Sequence, residues 1–243
     1  MTTSTSPART AVPIVAAVLS MNAGFIGLGA VFDYPKVLAR PSAEVLALFR
    51  AQETAVVSWF ALLALGAALF IPIAILVGRL DDSPRMRWAV RIGIAAGVVQ
   101  AIGLLRWPLL VPTLADRATH AAENSSATRQ FEIANLVLGS TLGETCGYAL
   151  TAAWTLLVAT VLSRNGFPRW FTVSGIAAAV LILTGIAAPW HIPGAQQLNF
   201  LGYVLWSLWM LALVGFALRG ITPRSRPHQS PRRVAATRIR LSR

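Results

Sequence analysis

Six stretches of mostly apolar residues, each about as long as a membrane-spanning helix, constrain the fold of this chain more than any other feature. They cover residues 11–31, 55–78, 89–111, 133–162, 170–189 and 198–218. A helix needs about 20 apolar residues to cross the ~30 Å hydrocarbon core of a bilayer. Only 12% of the residues are charged and 56% are hydrophobic, a composition that excludes an ordinary soluble domain. The sequence therefore predicts an all-α integral membrane protein, a six-helix bundle.

The chain divides into three parts by composition. Residues 1–10 are rich in Ser and Thr and are predicted to be a disordered N-terminus. Residues 11–219 hold the six spans, and residues 220–243 form a basic tail. The first apolar stretch is longer than the ~7–15 residues of a cleavable signal peptide, so we interpret it as an uncleaved span.

Basic residues lie mostly on one predicted side of the membrane. Fifteen of the 21 lie in the N-terminus, the segments 79–91 and 163–170, and the tail from Arg219; the other six lie towards the opposite side, in the segments 32–54 and 106–131. Because cytoplasmic loops are enriched in Arg and Lys, the sequence predicts that both termini are cytoplasmic. The arginine-rich composition further indicates a bacterial cytoplasmic (inner) membrane.

The fourth apolar stretch carries an acid, Glu144, beside a ladder of glycines at four-residue spacing, Gly139, Gly143 and Gly147. Small residues at this spacing allow a second helix backbone to approach closely. At about 100° per residue, one arc of an α-helix would hold Glu144 together with Ser140, Tyr148, Thr151 and Thr155. A carboxyl group within a span is costly and usually faces the bundle interior. Glu144 is therefore the candidate acid of a functional site, although the same pattern fits a neutral acid that only fixes helix packing.

Other polar residues in the spans are candidates for the same pocket. These candidate pocket residues are Arg106, Gln100, Asn22, Glu132, Asn135, Tyr148 and Tyr203. Arg106 either holds Glu144 ionised or pairs with Glu132. In the second case, Glu144 is expected to be protonated and to donate a hydrogen bond to Asn22 or Gln100. Replacing Glu144 with leucine would then destabilise the fold by about 1–3 kcal/mol, because its partner loses a hydrogen bond.

A motif around Glu144 resembles a family of uncharacterised bacterial multi-pass membrane proteins, a domain of unknown function. The motif is F-E-x-x-N-x-x-x-G-x-x-x-G-E-x-x-G-Y, from Phe131 to Tyr148, and the upstream run Arg106-Trp107-Pro108 is similar too. The resemblance implies the same membrane fold from span two to span six. It implies no activity.

Recognisable catalytic and cofactor motifs are absent from the sequence. The only lysine, Lys36, lies between spans, which excludes a retinal Schiff base. No zinc-protease, nucleophile-elbow or phosphate-loop motif occurs. His120 and His191 are too isolated to predict a metal site, and the single cysteine, Cys146, excludes an intrachain disulfide. No cofactor, metal or assigned catalytic residue is expected.

Three classes of function remain open. The first is binding or translocation of a small or amphipathic molecule, proton-coupled through Glu144. The second is an intramembrane enzyme in which Glu144 protonates a lipid or isoprenoid. The third is a membrane scaffold or regulatory partner.

The basic tail, residues 219–243, has eight arginines and no acid. Because the tail is tethered to the bilayer, we expect its partner to be anionic lipid head groups rather than nucleic acid. A disordered tail that only sets the topology fits the composition as well.

Overall fold

The computed structural model describes residues 7–119, 126–190 and 192–219, and in these residues the chain is helical with no strand. Six helical stretches are long and apolar enough to cross a membrane, which confirms the six predicted spans and makes this a multi-pass membrane protein. Nine α-helices build the spans and their connections. They are α1 (Pro7–Phe32), α2 (Ser42–Ala51), α3 (Glu53–Gly78), α4 (Pro84–Leu109), α5 (Val111–Thr119), α6 (Ser126–Ala134), α7 (Gly147–Arg164), α8 (Arg169–Leu183) and α9 (Ala195–Leu218).

The fourth span is not one continuous α-helix. Between α6 and α7 the backbone is π-helical over Asn135–Cys146, a segment named π1 here. The fifth span also changes form, because α8 continues as a 3₁₀ helix over Thr184–Trp190. A π-helix has i→i+5 hydrogen bonds and usually occurs as a single turn at a functional site. The α-helical spacing predicted around Glu144 was therefore wrong for residues 135–146.

The six spans pack in a closed ring. α1 packs on α3, α3 on α4, and α4 on both π1 and α7; α7 then packs on α8, α8 on α9, and α9 returns to α1. The 3₁₀ segment of the fifth span lies against π1 and α9. The two irregular segments are thus neighbours, and they lie beside the same part of the ring.

Short helices cover one end of the ring, here called the loop-rich end (residues 33–52, 110–119, 126–133 and 192–194). A short helix, α2, follows Pro41 and packs against α5 and α6. Arg40 pairs with Asp33 and Glu44, and Arg50 bridges Glu53 and Asp116. Such exposed ion pairs each contribute only about 0–1 kcal/mol, so apolar packing holds this end together.

The opposite end, here called the basic end (residues 79–83 and 164–168), consists of two short connections. Asn165 donates a 2.8 Å hydrogen bond to the carboxylate of Asp81 and so joins them. Ser83 begins α4 by accepting a hydrogen bond from the backbone N–H of Met86, as Ser commonly does at a helix start.

Two clusters of buried apolar side chains fill the ring, one towards each end. The cluster at the basic end is built around Trp154, Trp206 and Trp209. The cluster at the loop-rich end surrounds Trp107, which contacts Phe32, Phe49, Phe60 and Phe131 at centroid distances of 4.5–6.0 Å. Of the polar residues of the spans, Arg106 lies beside Gly139 of π1 and Gln100 beside Gly147 at the start of α7.

The predicted orientation, with both termini in the cytoplasm, can be tested at exposed positions. Thr119 lies at the loop-rich end and Ser163 at the basic end, and both are exposed. In a Cys146→Ser background, a membrane-impermeant thiol reagent added to intact cells is expected to label Thr119→Cys and to spare Ser163→Cys until the cells are lysed. The reverse pattern would contradict the predicted orientation.

Candidate functional site

The glycine ladder of π1 lies directly against α4. A methyl group added at Gly143 would lie 3.2 Å from the Cα of Gly103, and one added at Gly103 would lie 2.7 Å from the Cα of Gly143. At Gly147 it would meet the side chain of Gln100. The two backbones therefore touch where Gly103 and Gly143 cross, and this contact fixes the position of Glu144, the next residue.

The Arg106 guanidinium fills the space above Gly139. Its side chain is buried, donating one hydrogen bond to the carbonyl of Gly103 and another, 2.9 Å long, to the Oδ1 of Asn135. Its Nε has no hydrogen-bond partner among the described residues. The side chains of Arg106 and Trp107 are also in contact, with 5.4 Å between the guanidinium carbon and the ring centroid. Among the described residues, the hydrogen-bond partners of this buried cation are neutral groups alone.

The hypothesis that Arg106 pairs with Glu132 was wrong. Glu132 is exposed, and the ion pairs of the described residues lie elsewhere, at the loop-rich end. Glu132 lies on α6 one turn before Asn135, and its side chain is exposed instead of filling the recess that receives Arg106. Asn135, a predicted pocket residue, takes the place that Glu132 was expected to fill.

Glu144 is half-buried and, within the part of the chain that the structure describes, has neither a hydrogen bond nor an ion pair. The group of opposite charge that acts on it is Arg106, which lies beyond the 4 Å of an ion pair. Three tyrosines, Tyr34, Tyr148 and Tyr203, interact electrostatically with its carboxyl group. These are all the tyrosines of the chain.

The expected hydrogen bond from Glu144 to Asn22 or Gln100 was also wrong. The side-chain amide of Asn22 donates to the carbonyl of Val18 and, at 3.3 Å, to Ser207 of the sixth span. Gln100 donates a 2.8 Å hydrogen bond to the hydroxyl of Thr151. The predicted destabilisation by Glu144→Leu consequently loses its basis, because no described partner would be left without a hydrogen bond.

Tyr34 is a site residue that the sequence analysis missed. It follows α1 in the turn at the loop-rich end, and its ring packs on Phe60 at 5.2 Å and on Phe25 at 6.1 Å. Burial and then the negative charge of Glu144 raise the pKa of Tyr34 above its ordinary value, while the charge of Arg106 opposes this. Its position in the aromatic exit of the first span gave no signal beyond that of an interface anchor.

Tyr148 and Tyr203 join the site to a polar layer in the middle of the bundle. Their rings lie 5.8 Å apart, and the hydroxyl of Tyr203 is buried facing Thr151 without a hydrogen bond in the described structure. A cavity of ≈ 10 Å³, enough for about one water molecule, lies beside Gln100, Thr151 and Tyr203. Closer to the basic end, the indole N–H of Trp206 donates a hydrogen bond to the hydroxyl of Thr155. Trp206 belongs to the aromatic cluster of that end.

This arrangement offers a carboxyl group with free acceptor capacity, three aromatic hydroxyl groups and a buried guanidinium. Within the described residues, no group of three His, Cys, Asp or Glu could hold a metal ion; His120 and His191 lie outside them. A carboxylate among tyrosines can accept hydrogen bonds from an ammonium group or take up a proton. The structure thus places Asn135 against Arg106, and it places Arg106, Tyr148 and Tyr203 within electrostatic range of Glu144. Gln100 lies beside Tyr203 at the small cavity, Asn22 bonds elsewhere and Glu132 is exposed.

Comparison with known proteins identifies the family and no nearer relative. Neither the curated proteins nor the solved structures gave a match. The family match extends from residue 12 to residue 216, so it includes the first span as well as spans two to six, and it ends before the basic tail. The chain belongs to the family described as a domain of unknown function (DUF4386).

Proposed function

We propose that this membrane protein binds and translocates a small or amphipathic molecule that carries an amine, with Glu144 as the group that receives it. The observation that carries this proposal is the half-buried Glu144 carboxyl group, which has no hydrogen-bond partner among the described residues although it lies within the bundle. A buried polar group normally has a partner. An ammonium group would supply one, and uptake of a proton would instead remove the charge of the unpaired carboxylate.

The irregular segments of the fourth and fifth spans favour a transporter, and disfavour a protein that acts only as a rigid scaffold. Discontinuous spans that meet near a buried ionisable residue are typical of transporter binding sites, and π1 lies against the 3₁₀ segment of the fifth span. Glu144 and Tyr148 are only half-buried. Towards the basic end, Phe70, Trp154 and Trp206 close the ring by edge-to-face contacts of 4.8–6.4 Å. Passage would require these side chains to separate.

An enzyme is supported less well by this geometry. Acid catalysis on a lipid or isoprenoid would benefit from a second acid facing Glu144, and in the described residues the spans present none there. The narrow central cavity, ≈ 10 Å³, agrees with a scaffold as well as with a closed state of a transporter. A measurement of ligand binding distinguishes a scaffold from a transporter.

The proposed amine site is tested with two probes of equal chain length, hexylammonium and hexanoate. Titration calorimetry of the purified protein in detergent is expected to show hexylammonium binding that falls at least tenfold in Glu144→Gln and is retained in Glu132→Gln, the exposed acid of the same span. Neither variant should lose thermal stability. Hexanoate binding that needs Arg106 would instead indicate an anion site.

Equal heats for the wild type and Glu144→Gln with both probes would contradict the proposal and favour a scaffold. Transport is measured separately, in proteoliposomes that contain a pH-sensitive dye. A hexylammonium gradient is expected to move protons through the wild type faster than through Glu144→Gln, and equal rates would contradict proton coupling.

A further inference from the structure

A second candidate site lies at the loop-rich end, on the outer side of the first span and independent of Glu144. It is a groove of ≈ 300 Å³, here called the α1–α2 groove, between the last turn of α1 and helix α2. Its lining includes Ala30, Val31, Asp33, Arg40, Leu48 and Gln52. The volume is at the lower end of the range for small-molecule sites.

The depth of the groove places it at the edge of the hydrocarbon core. The first span covers Ala11–Phe32, 22 residues, which at 1.5 Å per residue is about 33 Å, close to the thickness of that core. The groove begins at the last turn of this span. Its apolar wall, including Ala30, Val31 and Leu48, therefore lies at the depth of lipid acyl chains, and its charged residues lie at the depth of head groups.

One part of the groove attracts a cation with N–H donors. Among the backbone hydrogen bonds outside the helices, none in the described residues ends on the carbonyls of Gly29, Ala30, Val31 or Phe32, which belong to the helix C-terminus, where carbonyls lack partners within the helix. This end of the α1 dipole is negative, and the carboxylate of Asp33 follows it directly. Asp33 is half-exposed and has only a 3.4 Å contact with Arg40.

The other part of the groove attracts an anion. Arg40 donates from Nη1 to Glu44 at 2.8 Å and from Nη2 to Asp33 at 3.4 Å. A guanidinium has five N–H donors, so three remain for a phosphate. Because Asp33 and Arg40 line the same groove, a ligand with one positive and one negative group could bind both side chains, the positive group at Asp33 and the negative group at Arg40.

We propose that the α1–α2 groove binds a phospholipid with a primary ammonium head group, an ethanolamine phospholipid. The ammonium group contacts Asp33 and the free carbonyls of α1, the phosphate contacts Arg40, and one acyl chain lies along Ala30, Val31 and Leu48. A choline head group has no N–H to donate to the carbonyls. A glycerol head group brings no positive charge to Asp33. The site thus selects its lipid by the hydrogen bonds of the ammonium group.

Native mass spectrometry of the full chain in detergent, titrated with lipids of identical acyl chains, tests the site. The ethanolamine lipid is expected to bind at least fivefold tighter than the choline or glycerol lipid. Asp33→Asn should remove the preference for ethanolamine over choline; Asn tolerates the positive φ of 50° at this position. Arg40→Gln should weaken the binding of both the ethanolamine and the choline lipid, because both present a phosphate.

Arg50→Gln is the matched control, since Arg50 is an equally exposed arginine with two ion pairs at the same end and does not line the groove. It should leave all affinities unchanged. Equal affinity for ethanolamine and choline lipids, tightest binding of the glycerol lipid, or a preference that survives Asp33→Asn would overturn the proposal. Soluble phosphoethanolamine that binds as tightly as the lipid would also overturn it, because the acyl chain would then contribute nothing.

Discussion

Replacing Trp107 with alanine is expected to lower the free energy of unfolding by about 3–5 kcal/mol, the range for a fully buried large aromatic. Trp107 is 0% exposed and stacks on Phe60, with 4.5 Å between centroids and 3° between ring planes. It also contacts Phe32, Phe49 and Phe131. These rings come from α1, α2, α3 and α6, so one side chain joins five helices at the loop-rich end.

The measurement is denaturant unfolding in mixed micelles, with Trp88→Ala as control. Trp88 lies on the same helix, is 57% exposed and contacts mainly the guanidinium of Arg91 at 5.0 Å. Its removal should change stability by no more than ~1 kcal/mol, the scale of an exposed cation–π contact. Equal losses for the two tryptophans would show that the aromatic cluster does not hold the loop-rich end together.

The number of spans and their approximate ends could be predicted because they depend on composition over ~20 residues. Leucine, valine, alanine and phenylalanine in such a run require a helix wherever the surroundings are lipid. The second predicted span, 55–78, lies within α3 (Glu53–Gly78). The third and fourth spans were predicted too short because the polar helices α5 and α6 continue them, and hydropathy does not register polar helices.

The geometry of the site depended on contacts that no local pattern encodes. Glycines at four-residue spacing predict close approach of a second helix, and α4 is that helix. The same spacing does not distinguish α from π hydrogen bonding, which differs by one residue per turn. The partner of Arg106 likewise depends on the direction of α6 and π1, and that direction selects Asn135 over Glu132. Electrostatic reasoning from the sequence favours the acid Glu132 as the partner of Arg106, whereas in the structure the partner is the side-chain amide of Asn135.

Contacts that no local pattern encodes also explain why the sequence did not reveal Tyr34 as a site residue, and why the predicted partners of Glu144 were wrong. Tyr34 lies within electrostatic range of the acid because the chain turns back after α1, where Asp33 has a positive φ and the backbone N–H of Tyr34 bonds to the carbonyl of Leu28 at 3.4 Å. The sequence shows a turn there but not its direction. Asn22 and Gln100 lie at suitable depths along their helices, yet each has a nearer partner on another span.

Replacing Gly103 with alanine is expected to destabilise the bundle by about 1–3 kcal/mol, the cost of forcing one extra carbon into a packed interior. The new methyl group would lie 2.7 Å from the Cα of Gly143 and 2.8 Å from the carbonyl oxygen of Leu138. Both are backbone atoms, so no side-chain rotation can relieve the overlap. α4 and π1 must separate instead, and Glu144 moves with π1.

Gly215→Ala is the matched control, because nothing lies within 4 Å of a methyl group at that position of α9. Alanine is the better helix former by up to about 1 kcal/mol, so this variant should be as stable as the wild type or slightly more stable. Thermal unfolding in detergent measures both changes. Hexylammonium binding should weaken in Gly103→Ala and remain in Gly215→Ala, since only the first displaces Glu144. A Gly103→Ala protein with wild-type stability would show that the contact between α4 and π1 is looser than 2.7–2.8 Å approaches to backbone atoms imply, and that the position of Glu144 does not depend on it.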